Sequence, residues 1–383
     1  MSKLNQSEWQ EVEEFARQPL PTQELTGKDI YFFAPRSLYG KIYIPALANK
    51  LKPIACIDDL NPAQLSAEIE TWSTFKFLSS NLDSQKTILV DFSNSTYTAR
   101  LAQRICLTKN IQYLDFTKAC NTLNQPVIYE TPQVLREKTV AALDRYGSLF
   151  DSLDDDRSRK VLGSVLTARL SGERRYLYPI ISAPEGEYFS RRLDVEGLIP
   201  GEEEVFLDVG AHVGTAIFRF LEAADFEFRA VHAFEADSIN FRELTKVKAL
   251  QLENLHVHFC AVLDSTGEIP FQHTGTMGSN IFAEATGKVM ARKIDDLAES
   301  ASIIKLDIEG AEPAALRGAS RVISAGGPRI ASACYHYATD IVDIADTLKA
   351  IRPDYRFRLR HYSSYLGDTC IYASNTESFW GRT

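Results

Sequence analysis

The chain is short of several things, and each shortage closes off a class of protein. Its 383 residues hold six cysteines, at 56, 106, 120, 260, 334 and 370, with no Cys-x-x-Cys pair. Disulfide frameworks and zinc sites need closer or patterned spacing, so buried, reduced thiols are expected. Positive charge is also scarce: 42 Lys and Arg against 51 Asp and Glu leave a net charge of −9. Phosphate binding relies on clustered basic residues, so no nucleic-acid partner is expected. Only Arg356 to Arg360 concentrates arginines, and that stretch alternates like a strand. No apolar run reaches membrane-spanning length, and Met1 to Phe15 is polar and acidic, unlike a signal peptide. The expectation is a cytoplasmic, globular protein without a transmembrane segment, long enough for two or three domains.

What the chain has in quantity is alternation of short apolar runs with helical patterns, the mark of an α/β fold. Asp29–Phe33, Pro53–Ile57, Thr87–Asp91 and Ile111–Asp115 read as strands, with helical patterns at Tyr43–Leu51 and Tyr97–Thr108. They define an N-terminal α/β, Rossmann-like domain over residues 1–130. Its first turn, Ala34 to Gly40, holds one glycine where a nucleotide site would hold several, although Asp58 and Asp59 end the second strand as a ribose-binding acid would. Residues 131–186 read as a helical connector, with Asp154, Asp155 and Asp156 as an exposed helix boundary. From 187 to 383 the strand endings recur: Val205–Asp208, Ala230–Glu235, Leu255–Val262, Ala301–Asp307 and Arg329–Cys334, then a candidate antiparallel pair, Tyr355–Tyr362 and Thr369–Ala373. Five βα units and a terminal hairpin are the element order of a class I methyltransferase sheet.

In such sheets ligands bind at the carboxyl ends of the strands, so the strand endings carry the functional reading. Val205 to Gly214 is a strand, a tight turn and a helix start, which aims backbone N–H groups at an anionic ligand group. Its spacing, Gly210-x-x-x-Gly214 with His212 in the middle, departs from the Gly-x-Gly-x-x-Gly of dinucleotide sites. Asp208 would repel a pyrophosphate but suits a ligand ammonium, and Glu235 is placed for a ribose diol. S-adenosylmethionine has the ammonium, a carboxylate for the helix end and the ribose. The cofactor-binding candidates are therefore Asp208, Gly210, His212, Gly214, Glu235 and, on the third run, Ala261. A Rossmann-like turn without ligand is the plain alternative.

Three carboxylates, Asp307, Glu309 and Glu312, fall within six residues at the end of the fourth run. They could act as general base, position a hydroxyl, or hold a divalent cation through Asp307 and Glu309; the bland reading is a favourable helix start. His336 reaches the same edge from the fifth run and could take a proton near neutral pH, or be structural. Asp307, Glu309 and His336 are the catalytic candidates, and His361 on the hairpin is a weaker one. The glycine-rich loop Gly275 to Asn280 could close over a substrate or be ordinary surface.

Together these segments resemble the FkbM-type methyltransferases. The likeness rests on Leu207 to Gly214, Phe234-Glu235, Gly278 to Asn280, Arg292 to Leu297, Ile304 to Glu312 with Leu316 to Ala319, and Arg360 to Tyr362. It spans residues 187–373 and departs at His212, where the family usually has asparagine. The resemblance implies S-adenosylmethionine-dependent O-methylation, often of sugar or polyketide hydroxyls, with a small-molecule or glycan acceptor. Two other readings stand beside it: a nicotinamide-dependent, sugar-modifying oxidoreductase using the N-terminal unit, and a non-catalytic protein that retains the cofactor fold.

Overall fold

The computed structural model describes residues 3–59, 69–191, 196–275, 285 and 287–380. The chain divides into two compact units: residues 1–141, 163–181 and 363–366 in the first, and 142–162, 182–362 and 367–383 in the second. The helical segment read as a single connector is thus shared out. Helix Pro132–Ala141 goes to the first unit, helix Leu143–Ser152 to the second, and helix Asp156–Ser171 contributes to both.

In the first unit, β1 (Asp29–Phe33), β2 (Ala55–Ile57), β3 (Glu70–Trp72), β4 (Thr87–Asp91) and β5 (Gln112–Asp115) form one sheet in the order β3-β2-β1-β4-β5. All its pairings are parallel. Strands covered on both faces read as continuous apolar runs, as β1 and β4 do. Tyr31, Phe33, Phe77, Leu89 and Ile105 pack together on one side.

The carboxyl edge of this sheet is closed by protein groups. Arg174, fully buried, bonds the Asp115 carboxylate at 2.8 Å and the Ser93 carbonyl at 2.7 Å, and lies 3.7 Å from Asp91. Its guanidinium stands 4.5 Å from the Phe116 ring, and Tyr365 packs on Tyr39 at 4.8 Å. Asp58 pairs with Arg36 at 2.7 Å, and Asp59 accepts the Thr74 N–H. Both acids weighed as ribose partners are therefore engaged within the unit.

The second unit is built on β6 (Val205–Val209), β7 (Ala230–Glu235), β8 (Leu255–Phe259), β12 (Ile303–Leu306), β13 (Arg329–Ala333), β14 (Arg356–His361) and β15 (Thr369–Ser374). Their order is β14-β15-β13-β12-β6-β7-β8, parallel except for β15, which runs antiparallel to both neighbours. This is the class I methyltransferase order with its reversed hairpin strand. Every residue of central β6 is buried, and Phe206 stacks on Phe220 at 4.5 Å with Phe189 edge-on at 5.1 Å.

Three further strands, β9 (Ala261–Val262), β10 (Gly267–Phe271) and β11 (Gly287–Arg292), form a small sheet in the order β10-β11-β9. The single strand expected over Leu255–Val262 is thus two, broken at Cys260. β8 closes the edge of the large sheet, whereas Ala261 and Val262 pair with Ala291 and Arg292.

The acidic run before helix Asp156–Ser171 is not simply exposed. Asp154 bonds Arg356 and Arg358, and Asp155 with Glu196 holds the fully buried Arg360. All six cysteines are buried and free. Among the described residues, no helix is long and apolar enough to cross a membrane.

Candidate active site

The tips of β6 and β12 touch, and Gly210 makes that possible. Gly210, at φ +82°, has no room for a Cβ, which would overlap the Asp307 carbonyl oxygen. Gly310, at φ +97°, lies under the Tyr337 ring in the same way. Just before Gly310, Glu309 takes the left-handed conformation, φ +62°. His212 is also left-handed, φ +51°, a region where asparagine and histidine are both enriched among non-glycine residues. The departure at His212 therefore keeps the conformation of the turn. Its backbone N–H donates to Glu235 Oε2 at 2.7 Å, which ties the β6 turn to the tip of β7.

Beside this edge lies a cavity of about 490 Å³, lined wholly by residues of the second unit. Small-molecule sites run roughly from 300 to 1,000 Å³. One part of the wall is Val209 to His212, Phe234, Glu235, Cys260, Ala261 and Val262. Elsewhere the wall carries Lys305, Asp307, Glu309, Tyr188, Tyr335 and Tyr362. Gly210, His212, Glu235, Ala261, Asp307 and Glu309 thus all face one space.

Three candidates lie behind that wall. Asp208, expected against a ligand ammonium, is fully buried and pairs with Lys305 at 3.2 Å. The two residues are register partners on β6 and β12, so their side chains share a face. It is Lys305, not Asp208, that reaches the cavity, where its Nζ also donates to the Gly210 carbonyl at 2.7 Å. Burial raises the Asp208 pKa against the pull of Lys305, and Asp208 with Asp307 raises that of Lys305. Gly214 shapes the turn, at φ +96°, and begins helix Thr215–Ala223 without lining the cavity. His336 is 1 % exposed, with Nε2 3.5 Å from Asp307 and 3.4 Å from Glu309, and Nδ1 3.4 Å from Glu312. Its place is beneath the carboxylates, with no lining surface of its own.

Among the acids on the wall, Glu235 and Asp307 stand in different surroundings. Glu235 accepts N–H bonds from His212 and Asp237, each at 2.7 Å, yet burial pushes its carboxyl up to about 7. Asp307 is 28 % exposed and accepts hydroxyl bonds from Tyr188 at 3.1 Å and Tyr335 at 3.5 Å. Glu312 is fully buried, accepts the Ile308 N–H at 2.8 Å, and burial drives its carboxyl to about 7. His361 is a core residue, bonded through Nδ1 to Thr369 at 2.9 Å. The loop segment 276–280 lies outside the described residues.

Sequence reasoning missed Lys305, Tyr188, Arg219 and Glu187. For Lys305 a signal existed: a lone lysine in the apolar run Ile303 to Leu306, two residues from Asp307 and so on the same strand face. The others come from distant segments. Glu187 pairs with Arg219 at 2.8 Å, and nothing local in the sequence links those two positions.

Residues 208–359 match the methyltransferase FkbM domain. No curated protein matches the sequence. Among solved structures, that of methyltransferase FkbM from Methylobacillus flagellatus has a TM-score of 0.80 at 23% identity, covering 97% of this chain and 99% of that one. The shared fold therefore takes in both units. An rRNA methylase from Streptococcus thermophilus is 11% identical, covering 46% of this chain and 89% of its own, with a TM-score of 0.30. A precorrin-6y C5,15-methyltransferase from Geobacter metallireducens is 12% identical, covering 51% and 98%, with a TM-score of 0.31. Most of the cavity's lining thus lies within the segment that matches the methyltransferase FkbM domain.

Proposed function

We propose that the second unit transfers a methyl group from S-adenosylmethionine to a hydroxyl oxygen of a small acceptor such as a sugar, glycan or polyketide-like molecule. One observation carries the reading: a single cavity joins the Gly210–His212 turn, Glu235 and Ala261 to Asp307. The donor set fits the cofactor. Phe234, Cys260, Ala261 and Val262 offer an apolar wall to the base, Glu235 an acceptor for the ribose diol, and Lys305 a cation for the amino-acid carboxylate. The cofactor, when bound, supplies an electrophilic methyl carbon on a sulfonium.

The chain's own work is positioning and proton removal. Holding an oxygen in line with that carbon is worth several kcal/mol in well-oriented systems. Asp307, its carboxylate steadied by Tyr188 and Tyr335, orients the acceptor hydroxyl and takes its proton as the oxygen–carbon bond forms. Burial keeps the Tyr188 and Tyr335 hydroxyls protonated, so both act as donors.

Calorimetry with S-adenosylhomocysteine tests the first step, with one-site binding expected; absence of heat overturns the cofactor assignment. Transfer of labelled methyl to a panel of hydroxylated acceptors tests the second. Asp307→Ala is expected to cut transfer by about 10²–10⁴-fold, the worth of a positioned acid or base, while keeping S-adenosylhomocysteine affinity. Full transfer by that variant removes Asp307 from the chemistry.

A further inference from the structure

We propose that Asp307, Glu312 and His336 bind a divalent transition-metal cation at the inner wall of this cavity. Each offers one ligand atom, and the three atoms lie within 4.8 Å of one another. The set differs from the Asp307–Glu309 pair that the sequence suggests, because Glu312 and not Glu309 completes the cluster.

The spacing suits a shared ion. His336 Nδ1 stands 3.4 Å from Glu312 and its Nε2 3.5 Å from Asp307, so each ring nitrogen has one of the two carboxylates beside it. Two atoms bound to one cation at about 2.0–2.2 Å sit roughly 3–3.5 Å apart, the separation of the ligating nitrogen from the carboxylate beside it, and the third ligand atom lies within 4.8 Å. Glu312 supplies the second observation. It is fully buried; Oε1 accepts the Ile308 N–H, and Oε2 has no hydrogen-bond partner among the described residues. A buried carboxylate oxygen without a partner is costly, and a cation in the cluster removes that cost.

Ligand chemistry narrows the ion. Two carboxylates and an imidazole suit Mn²⁺, Fe²⁺, Co²⁺ or Zn²⁺ better than Ca²⁺ or Mg²⁺, which prefer oxygen alone. Metal-bound histidines usually give their second nitrogen to a carboxylate. Whichever ring nitrogen of His336 faces the ion, a carboxylate faces the other: Glu309 at 3.4 Å from Nε2, or Asp340 at 4.0 Å from Nδ1. Asp307 alone of the three ligands lines the cavity, so the ion adjoins the acceptor through that residue. Any role in methyl transfer rests on the function proposed above; the binding itself does not.

The test titrates the metal-stripped full chain with MnCl₂ by calorimetry and Mn²⁺ resonance, with S-adenosylhomocysteine affinity measured on the same samples. Mn²⁺ is the probe because the neighbouring His232, His256 and His258 offer imidazole alone, a ligand set that favours Cu²⁺, Ni²⁺ and Zn²⁺. One equivalent is expected to bind, and Glu312→Gln or Asp307→Asn to weaken it at least about tenfold. Asp307→Asn, at the cavity wall, keeps the test decisive if Glu312→Gln fails to fold. No saturable Mn²⁺ binding by folded wild type overturns the proposal, as does undiminished binding by Asp307→Asn. Mn²⁺ binding without S-adenosylhomocysteine binding would instead overturn the cofactor assignment and leave the metal site standing.

Discussion

At the tip of β7, the Glu235 carboxylate accepts two backbone N–H bonds, yet burial holds its pKa near 7 instead of 4.5. Two pH dependences of opposite sign follow from this one group. Between about 4.5 and 7 the folded chain keeps a proton that the unfolded chain has released. Stability contributed by Glu235 is therefore largest at low pH and declines as pH rises through that window. Its proposed role runs the other way, because a ribose diol donates best to the charged carboxylate. S-adenosylhomocysteine affinity is thus expected to rise from pH 6 to pH 8, and Glu235→Gln to bind more weakly with a flattened profile. Calorimetry at three pH values checks it, and an unchanged profile in Glu235→Gln would detach the residue from the cofactor. Asp208 shows where residue-level reading stops. Its charge is plain in the sequence, but its partner Lys305 sits 97 residues away and is brought beside it only by the β6–β12 register.

Elements were readable in proportion to how fully they are buried. Asp29–Phe33, Thr87–Asp91 and Ala230–Glu235 stand in the structure with the bounds their apolar runs suggest, because central strands cannot carry polar residues cheaply. β3, β10 and β11 escaped. The first is three residues long and half-exposed, and the other two alternate exposed with buried positions around Pro270 and Lys288. Beyond Gly310 the chain forms two short helices, Glu312–Arg317 and Ser320–Gly326, parted at Gly318. There the backbone passes so close to the Leu263 carbonyl oxygen that a Cβ would overlap it. That contact holds the segment after β9 against the helix that begins with Glu312. Gly318→Ala is expected to destabilise by about 1–3 kcal/mol, the usual cost of overpacking, since φ itself is ordinary there. Chemical denaturation measures it, and a neutral result would mean that the two segments part easily.

On the scale of the whole molecule, the chain holds two large α/β sheets, one parallel and one mixed, whose carboxyl edges have different fates. One edge opens on a cavity; the other is closed by Arg174 with Asp91, Asp115 and a set of aromatic rings. From the sequence both edges were candidates, since each ends its strands in acids. What closes the edge of the N-terminal sheet is an arginine from the helical segment and a tyrosine, Tyr365, from far along the chain, and no local pattern announces either. Breaking a buried ion pair by removing one partner costs about 3–5 kcal/mol, because the remaining charge is left uncompensated. Arg174→Met should therefore lower stability by that order, with two buried carboxylates losing their cation. Every residue lining the cavity belongs to the other unit, so folded Arg174→Met is expected to bind S-adenosylhomocysteine with wild-type affinity. Thermal denaturation and calorimetry on the same preparation separate the two effects. Lost affinity in a folded variant would show that the closed edge serves the cavity, whereas gained NADH binding would show that Arg174 fills a dinucleotide bay.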